Sequence, residues 1–215
     1  MDERLDQANA LFLRAIFGIG DGSAEDCLVR ADRALDGVEA DLALARGKAM
    51  HGRFLEDRLE NPGELPYFQR ALELFESLGD ERGQGEALFW IGCFHHVVRS
   101  DSETAVLFFV RARDLAAKTG DDLTRSYALR HLGIADHQAG RLAAAEEQLA
   151  ESTKLRESLG FRAGTAANLV GPIYVAKAQG RDEEARRLLD EATELAAAAG
   201  ATKIEADLEE VRGIL

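Results

Sequence analysis

The segment ALRHLGIADHQAGRLAAAEEQL, residues 128–149, decides the fold class. Two apolar stretches with helical spacing flank the step Gly140-Arg141, and a glycine at a helix end relieves the left-handed conformation that a C-cap adopts. We therefore interpret the segment as two antiparallel helices joined at this step, rather than as one helix with a weak point. The composition favours an all-α chain, because strong helix formers dominate it and only 3 prolines occur in 215 residues.

The same helix pair recurs along the chain with a fixed period. Gly79, Gly120, Gly160 and Gly200 each close a helical stretch, at spacings of 41, 40 and 40 residues. One helix pair cannot bury its apolar stripe alone, so we predict that successive pairs stack into a solenoid. Three further series keep this period, namely Arg99-Ser100, Gly140-Arg141 and Gly180-Arg181; Ala105, Ala145 and Ala185; and Phe68, Phe109, Leu149 and Leu189.

The residues at these periodic positions resemble the tetratricopeptide repeat. The resemblance is carried in the fourth repeat by Leu129, Leu132, Gly133, Ala145 and Leu149, and in the third repeat by Leu88, Ile91, Gly92, Ala105, Phe109 and Ala112. It implies an all-α, right-handed α-solenoid of about five antiparallel helix pairs, in a single domain. The implied repeats are about 3–38, 42–79, 82–120, 122–160 and 162–200, and a capping helix covers 201–214.

Three repeats depart from the family pattern. The second repeat has Gly52 as its marker glycine, but Glu64 replaces the small residue that precedes Phe68. The third repeat has one extra residue, which we place in its turn. In the fifth repeat Ile173 stands where the glycine belongs, one residue after Pro172. Two interpretations of Pro172 stay open: a kink that would aim Tyr174 into the groove, and a late repeat that has merely loosened.

In the family that this chain resembles, the first helix of each pair lines a concave groove that binds a protein or peptide. Ala49 and Val170 fall on the groove offsets, together with the candidate ligand-binding residues below. These walls are aromatic and apolar with a few cations, which suits an apolar peptide or a small, anionic, partly aromatic ligand. The resemblance implies as ligand-binding residues Arg53, Glu56, Phe89, Cys93, His96, Tyr127, Arg130, Ile134, His137, Tyr174 and Lys177.

One row of these groove positions combines ionisable side chains from four repeats: Glu56, His96, His137 and Lys177. Two interpretations stay open, a metal or acid–base site and polar residues lining a wet groove. The second is favoured, because two isolated histidines are a weak signal. We therefore predict no catalytic residue, no metal ion and no cofactor.

Composition narrows the class of partner. The formal net charge of −13 and the lack of a Lys/Arg run argue against nucleic acid, and no apolar stretch is long enough to cross a membrane. Cys27 and Cys93 predict no disulfide framework, which favours the cytoplasm.

The function predicted first is a scaffold that binds a protein or peptide partner. The alternative is a small-molecule sensor, similar to the long-repeat sensor regions of bacterial regulators. An enzyme that uses the groove histidines is least favoured, and the oligomeric state, including self-association, stays open.

Overall fold

The computed structural model describes residues 2–215, and these residues form ten α-helices and no strand, which confirms the all-α prediction. Adjacent helices pack in consecutive pairs, as in an α-solenoid. The helices are α1 (Glu3–Phe17), α2 (Ala24–Asp57), α3 (Glu64–Leu78), α4 (Glu81–Cys93), α5 (Ser102–Thr119), α6 (Asp122–Gln138), α7 (Leu142–Ser158), α8 (Arg162–Ala178), α9 (Asp182–Ala199) and α10 (Thr202–Arg212).

The chain divides into two compact units, the first ending at Ser100 and the second beginning at Asp101. Helices α1 to α4 belong to the first unit, together with a π-helical turn at Phe94–Val98. Helices α5 to α10 belong to the second unit. Each unit is described by itself below.

The second unit contains the helix pair that the segment 128–149 predicts. Helix α6 ends at Gln138 and α7 begins at Leu142, with Gly140 between them at a φ of 74°. The pair packs closely because a Cβ atom at Gly133 would lie 2.7 Å from Leu149 Cγ, a distance that real Cβ atoms do not tolerate. Glycine at position 133 therefore sets how near α6 approaches α7.

Helix α10 covers the end of this core, as we predict for a capping helix. Leu208 and Val211 are buried in one apolar cluster with Ile173, Leu189 and residues of the preceding helices. The observed helix covers Thr202–Arg212, within the expected range 201–214.

In the first unit, the expected boundary between repeats 3–38 and 42–79 is wrong as a helix boundary. Helix α2 runs without interruption from Ala24 to Asp57. Between 38 and 42 the chain has neither a proline nor a glycine with positive φ, so nothing ends the i→i−4 hydrogen bonding there. One long helix therefore packs against both α1 and α3.

The glycine of α2 that packs closely against α3 is Gly47, and not Gly52, the residue that the resemblance implies. A Cβ atom at Gly47 would lie 2.6 Å from Cδ1 of Phe68, which repeats the contact between Gly133 and Leu149. Gly52 is exposed, and a Cβ atom there meets nothing within 4 Å. Helix α2 ends at Asp57, ten residues beyond Gly47, whereas α6 ends five residues beyond Gly133.

The extra residue of the third repeat lies within a helix and not in the turn. After α4 the chain forms the π-helical turn Phe94–Val98, in which Arg99 N donates to Phe94 O at 3.2 Å. Such an i→i+5 bond accommodates one inserted residue in a helix. Ser100 then takes the turn position of Gly140, at a φ of 54°.

Candidate functional site

A cavity of about 310 Å³ in the second unit is lined by residues of α6, α7 and α8. It brings together four of the predicted ligand-binding residues, and Val170, which shares their offsets, lies there as well. Because residues three or four apart on a helix share one face, α6 and α8 present these side chains towards the same space. The lining residues are Arg130, Ile134, His137, Gln138, Leu149, Val170, Gly171 and Tyr174.

Gly171, which lines the cavity, lets α8 approach Leu149 of α7 closely. A Cβ atom at Gly171 would lie 2.7 Å from Leu149 Cδ2, so any larger residue in α8 would push that helix away from α7. Leu149 thus contacts Gly133 on one side and Gly171 on the other. Helix α8 continues through Pro172, and Tyr174, which lines the cavity, is partly exposed.

The polar groups of this cavity are cationic or neutral. Arg130, His137, Gln138 and Tyr174 supply them, and among the described residues no carboxylate lines the cavity. The rings of His137 and Tyr174 lie 6.2 Å apart between centroids, tilted by 47°. In a chain with a net charge of −13, a cavity of this composition is a local exception.

A second cavity, of about 260 Å³, adjoins the first. Arg130, Val170 and Tyr174 line both cavities, and α10 contributes Asp207 and Glu210 to the second one. We call the surface that α6, α8 and α10 form around the two cavities the binding face. The α10 end of this face is therefore acidic, whereas the first cavity, which lies over α7, contains no carboxylate among the described residues.

Tyr127, which we also expect to bind ligand, does not line either cavity. Its ring meets Phe161 edge-on, at 6.5 Å between centroids, and the guanidinium carbon of Arg156 lies 4.6 Å from the centre of the Tyr127 ring. Tyr127 therefore lies one helical turn before Arg130 and next to a buried cation.

Sequence reasoning missed Arg156. This side chain is only 2% exposed, and its Nη1 donates to Gly164 O at 2.7 Å. Burial, and to a lesser extent the positive charge of Arg130, lower the pKa of Arg156 to about 10, while Tyr127 acts in the opposite direction. Nε and Nη2 of Arg156 have no hydrogen-bond partner among residues 2–215.

The signal for Arg156 was present in the repeat register. Arg156 stands four residues before Gly160, and the same position before Gly120 and Gly200 holds Ala116 and Ala196. Before Gly79 the same position holds Phe75, so an arginine at a core position that is otherwise apolar marks a repeat with a different environment.

A buried polar network joins α6, α7 and α8 beside this arginine. Ser152 Oγ lies 2.7 Å from Ser126 O and 3.0 Å from Asn168 Oδ1. Asn168 Nδ2 donates to Leu149 O at 3.1 Å and to Thr153 Oγ1 at 2.7 Å. Such hydrogen bonds form only when the three helices have one particular relative placement. The network therefore fixes the positions of α6 and α8, which carry the residues of the binding face.

The predicted groove residues of the first unit line neither of these two cavities. Arg53 and Glu56 are exposed on α2, where they were placed by counting from Gly52. Phe89 and Cys93 are each 3% exposed, so the prediction that they line an open groove is wrong, because α4 buries these side chains in the core.

The row of ionisable residues is not a set of equivalent positions. His96 lies in the π-helical turn, which inserts one residue before Ser100. Ser100 corresponds to Gly140, and the residue three before Ser100 is Val97, whereas the residue three before Gly140 is His137. Val97, and not His96, is therefore the equivalent of His137. Lys177 lies 3.7 Å from Asp182, away from the cavity lining. Among residues 2–215, no group of three or more metal-ligating side chains could hold a metal ion.

Counting from Gly47 leads instead to a buried pair in the first unit. His51 Nδ1 lies 2.8 Å from Glu64 Oε1, and both side chains are buried. Trp90 meets the His51 ring edge-on, at 5.5 Å between centroids, and stacks on Phe68 at 5.8 Å. Glu64, which departs from the repeat pattern in sequence, is thus explained as the partner of His51.

Comparison of the chain with protein-family models and with curated proteins gives no match. The resemblance to tetratricopeptide repeats therefore stays a prediction. Within the part of the chain that the structure describes, no helix has both the length and the apolar composition that crossing a bilayer requires.

Proposed function

We propose that this protein is a binding scaffold, and that a protein or peptide partner binds the binding face by inserting an apolar side chain into the cavity over α7. The observation that supports this proposal is the convergence of Arg130, Ile134, His137 and Tyr174 on one cavity. Their side chains offer an apolar wall with a few polar groups, which is the composition of ligand sites in proteins.

The presence of two adjoining cavities on the binding face favours an extended partner over a single enclosed ligand. The first cavity holds about 310 Å³, the second about 260 Å³, and Tyr174 is shared between them. Consecutive cavities along stacked helices suit side chains of one peptide, since repeat proteins bind along their extended faces.

A selection from a random peptide library tests this function. We expect the immobilised protein to enrich peptides with an apolar anchor, and we expect Ile134→Lys and Tyr174→Ala to weaken their binding at least about tenfold, which corresponds to 1.4 kcal/mol. Tyr67→Ala is the matched control, because Tyr67 is a partly exposed tyrosine of the first unit. Peptides that bind all the variants equally well would contradict the proposal.

A second candidate function, binding of a small molecule, is supported by the cavity volume. About 310 Å³ lies at the lower end of the range for small-molecule pockets. Native mass spectrometry of the purified protein, compared with its denatured mass, distinguishes the two functions. Extra mass of a few hundred daltons, lost on denaturation and absent from Ile134→Lys, would favour the small molecule.

A further inference from the structure

The guanidinium group of Arg156 lies between two helices of the binding face. Arg156 belongs to the last turn of α7, but its side chain contacts the Tyr127 ring of α6 and the carbonyl of Gly164 in α8. The charge of Arg130, which lines both cavities, acts on it as well. Arg156 therefore lies between α6 and α8, outside the lining of the two cavities, and interacts electrostatically with Arg130, which lines both.

The charge of Arg156 is only partly compensated by groups of the protein. Two of the three guanidinium nitrogens of Arg156 have no hydrogen-bond partner among the described residues, and the positive charge of Arg130 acts on Arg156 with the same sign. A buried charge is expected to be paired, because water no longer solvates it. Ala116 and Ala196 show that an uncharged residue fits the same position in other repeats.

The first cavity has the complementary chemistry for an anion. Arg130, His137, Gln138 and Tyr174 offer hydrogen-bond donors, and no carboxylate of the described chain lines the cavity. Ile134, Leu149 and Val170 provide an apolar wall beside them. A ligand that matches both the hydrogen-bond donors and the apolar wall has an anionic group attached to an apolar or aromatic body.

We propose that the binding face recognises its ligand by a carboxylate or phosphate group, which Arg130 binds and which Arg156 attracts as a second cation. The apolar body of the ligand fills the cavity beside Leu149. Rotation of the Tyr127 side chain, whose ring covers Arg156, gives the anion direct access to its guanidinium group. This inference rests on the proposed function, because it names the chemistry that the binding face selects.

Three probes of similar size separate charge from shape. We titrate the ¹⁵N-labelled protein at constant ionic strength with benzoate, phenyl phosphate and benzamide, and follow the Nε–H signals of the arginines by NMR. Benzoate or phenyl phosphate is expected to shift the signals of Arg156 and Arg130, and neutral benzamide is expected to leave them in place. Equal effects of all three probes, or no shift with either anion, would overturn the inference.

Substitutions assign the effect to the two arginines. We expect Arg156→Met, which replaces the charge by an apolar chain, and Arg130→Gln each to weaken anion binding about tenfold or more. Arg186→Met on the exposed surface of α9 is the matched control, and Arg156→Lys, which restores a cation, is expected to recover part of the affinity. Anion binding by Arg156→Met at wild-type strength would refute the role of Arg156.

The same titration separates this inference from the proposed function. If benzamide and benzoate bind equally and Tyr174→Ala removes both, the cavity is a binding site without anion selectivity, and only the inference fails. If the anions shift the arginine signals but Tyr174→Ala changes neither probe nor peptide binding, the arginine site stands and the proposed cavity function fails. A tripeptide ending in phenylalanine, with a free or an amidated C-terminus, shows whether a peptide carboxylate serves as the anion.

Discussion

Two glycines of the same helix are expected to respond in opposite ways to the same substitution. Gly47 and Gly52 both lie inside α2, five residues apart. At Gly47 a new methyl group would lie 2.6 Å from Cδ1 of Phe68, whose ring is fully buried and stacked on Trp90. At Gly52 the methyl group would point into open space.

The magnitudes follow from these environments. Gly52→Ala is expected to raise the free energy of unfolding by about 0.5–1 kcal/mol, because alanine loses less backbone entropy in a helix interior than glycine. Gly47→Ala has the same helix-propensity gain, but it overpacks the contact with Phe68 and is expected to lower the free energy of unfolding by about 1–3 kcal/mol. The two variants should therefore differ in sign.

Urea unfolding followed by tryptophan fluorescence measures this difference. Trp90 is the single tryptophan of the chain and stacks on Phe68, so its emission reports on the contact that Gly47 makes possible. A loss of stability in Gly52→Ala together with a gain in Gly47→Ala would refute the assignment of Gly47 as the packed glycine. Equal shifts of both midpoints would show that the Phe68 contact contributes nothing.

Further substitutions test the buried pair, the proline and the first N-cap. Glu64→Ala leaves the buried His51 ring without its partner and should lower the free energy of unfolding by about 1–3 kcal/mol in the same urea assay. Pro172→Ala restores the missing backbone donor inside α8 and should raise the thermal midpoint, whereas a lower midpoint would mean that the ring packs favourably. Asp2 caps α1, and hydrogen bonds from Arg4 lower the pKa of Asp2 to about 2. Because this pKa lies below the ordinary 3.8, the contribution of the cap is complete above pH 3.8 and is lost as the pH falls through 2. An NMR titration of the carboxyl carbon should show a higher pKa in Arg4→Ala, and an unchanged value would exclude the contact with Arg4.

Part of the site was accessible from sequence because it depends on local geometry. Arg130, Ile134 and His137 are three or four residues apart, and a regular helix places such residues on one face whatever surrounds it. The equal period of the glycines then places Val170 and Tyr174 on the neighbouring helix of the same face. The resemblance supplied the groove offsets, and helical periodicity explains why the residues at those offsets share one wall of the cavity.

The same counting failed wherever the helices were irregular. The π-helical turn Phe94–Val98 shifts the register by one residue, and α2 continues five residues further beyond its packed glycine than α6 does. Neither change breaks the apolar pattern, because both are accommodated inside a helix. Groove positions in the first unit were therefore assigned to Arg53 and Glu56, which the structure places on an exposed surface.

The sequence by itself determined the helical class, the turn at Gly140 and the residues that share one face of α6, because each depends on interactions within a few residues along the chain. Tertiary structure alone decided which glycine is packed, that Phe89 and Cys93 are buried, and that Arg156 lies beside Tyr127 and near Arg130. These features depend on how closely one helix approaches another, and the periodicity of a helical sequence does not predict that distance. The buried cation of the binding face belongs to this second group.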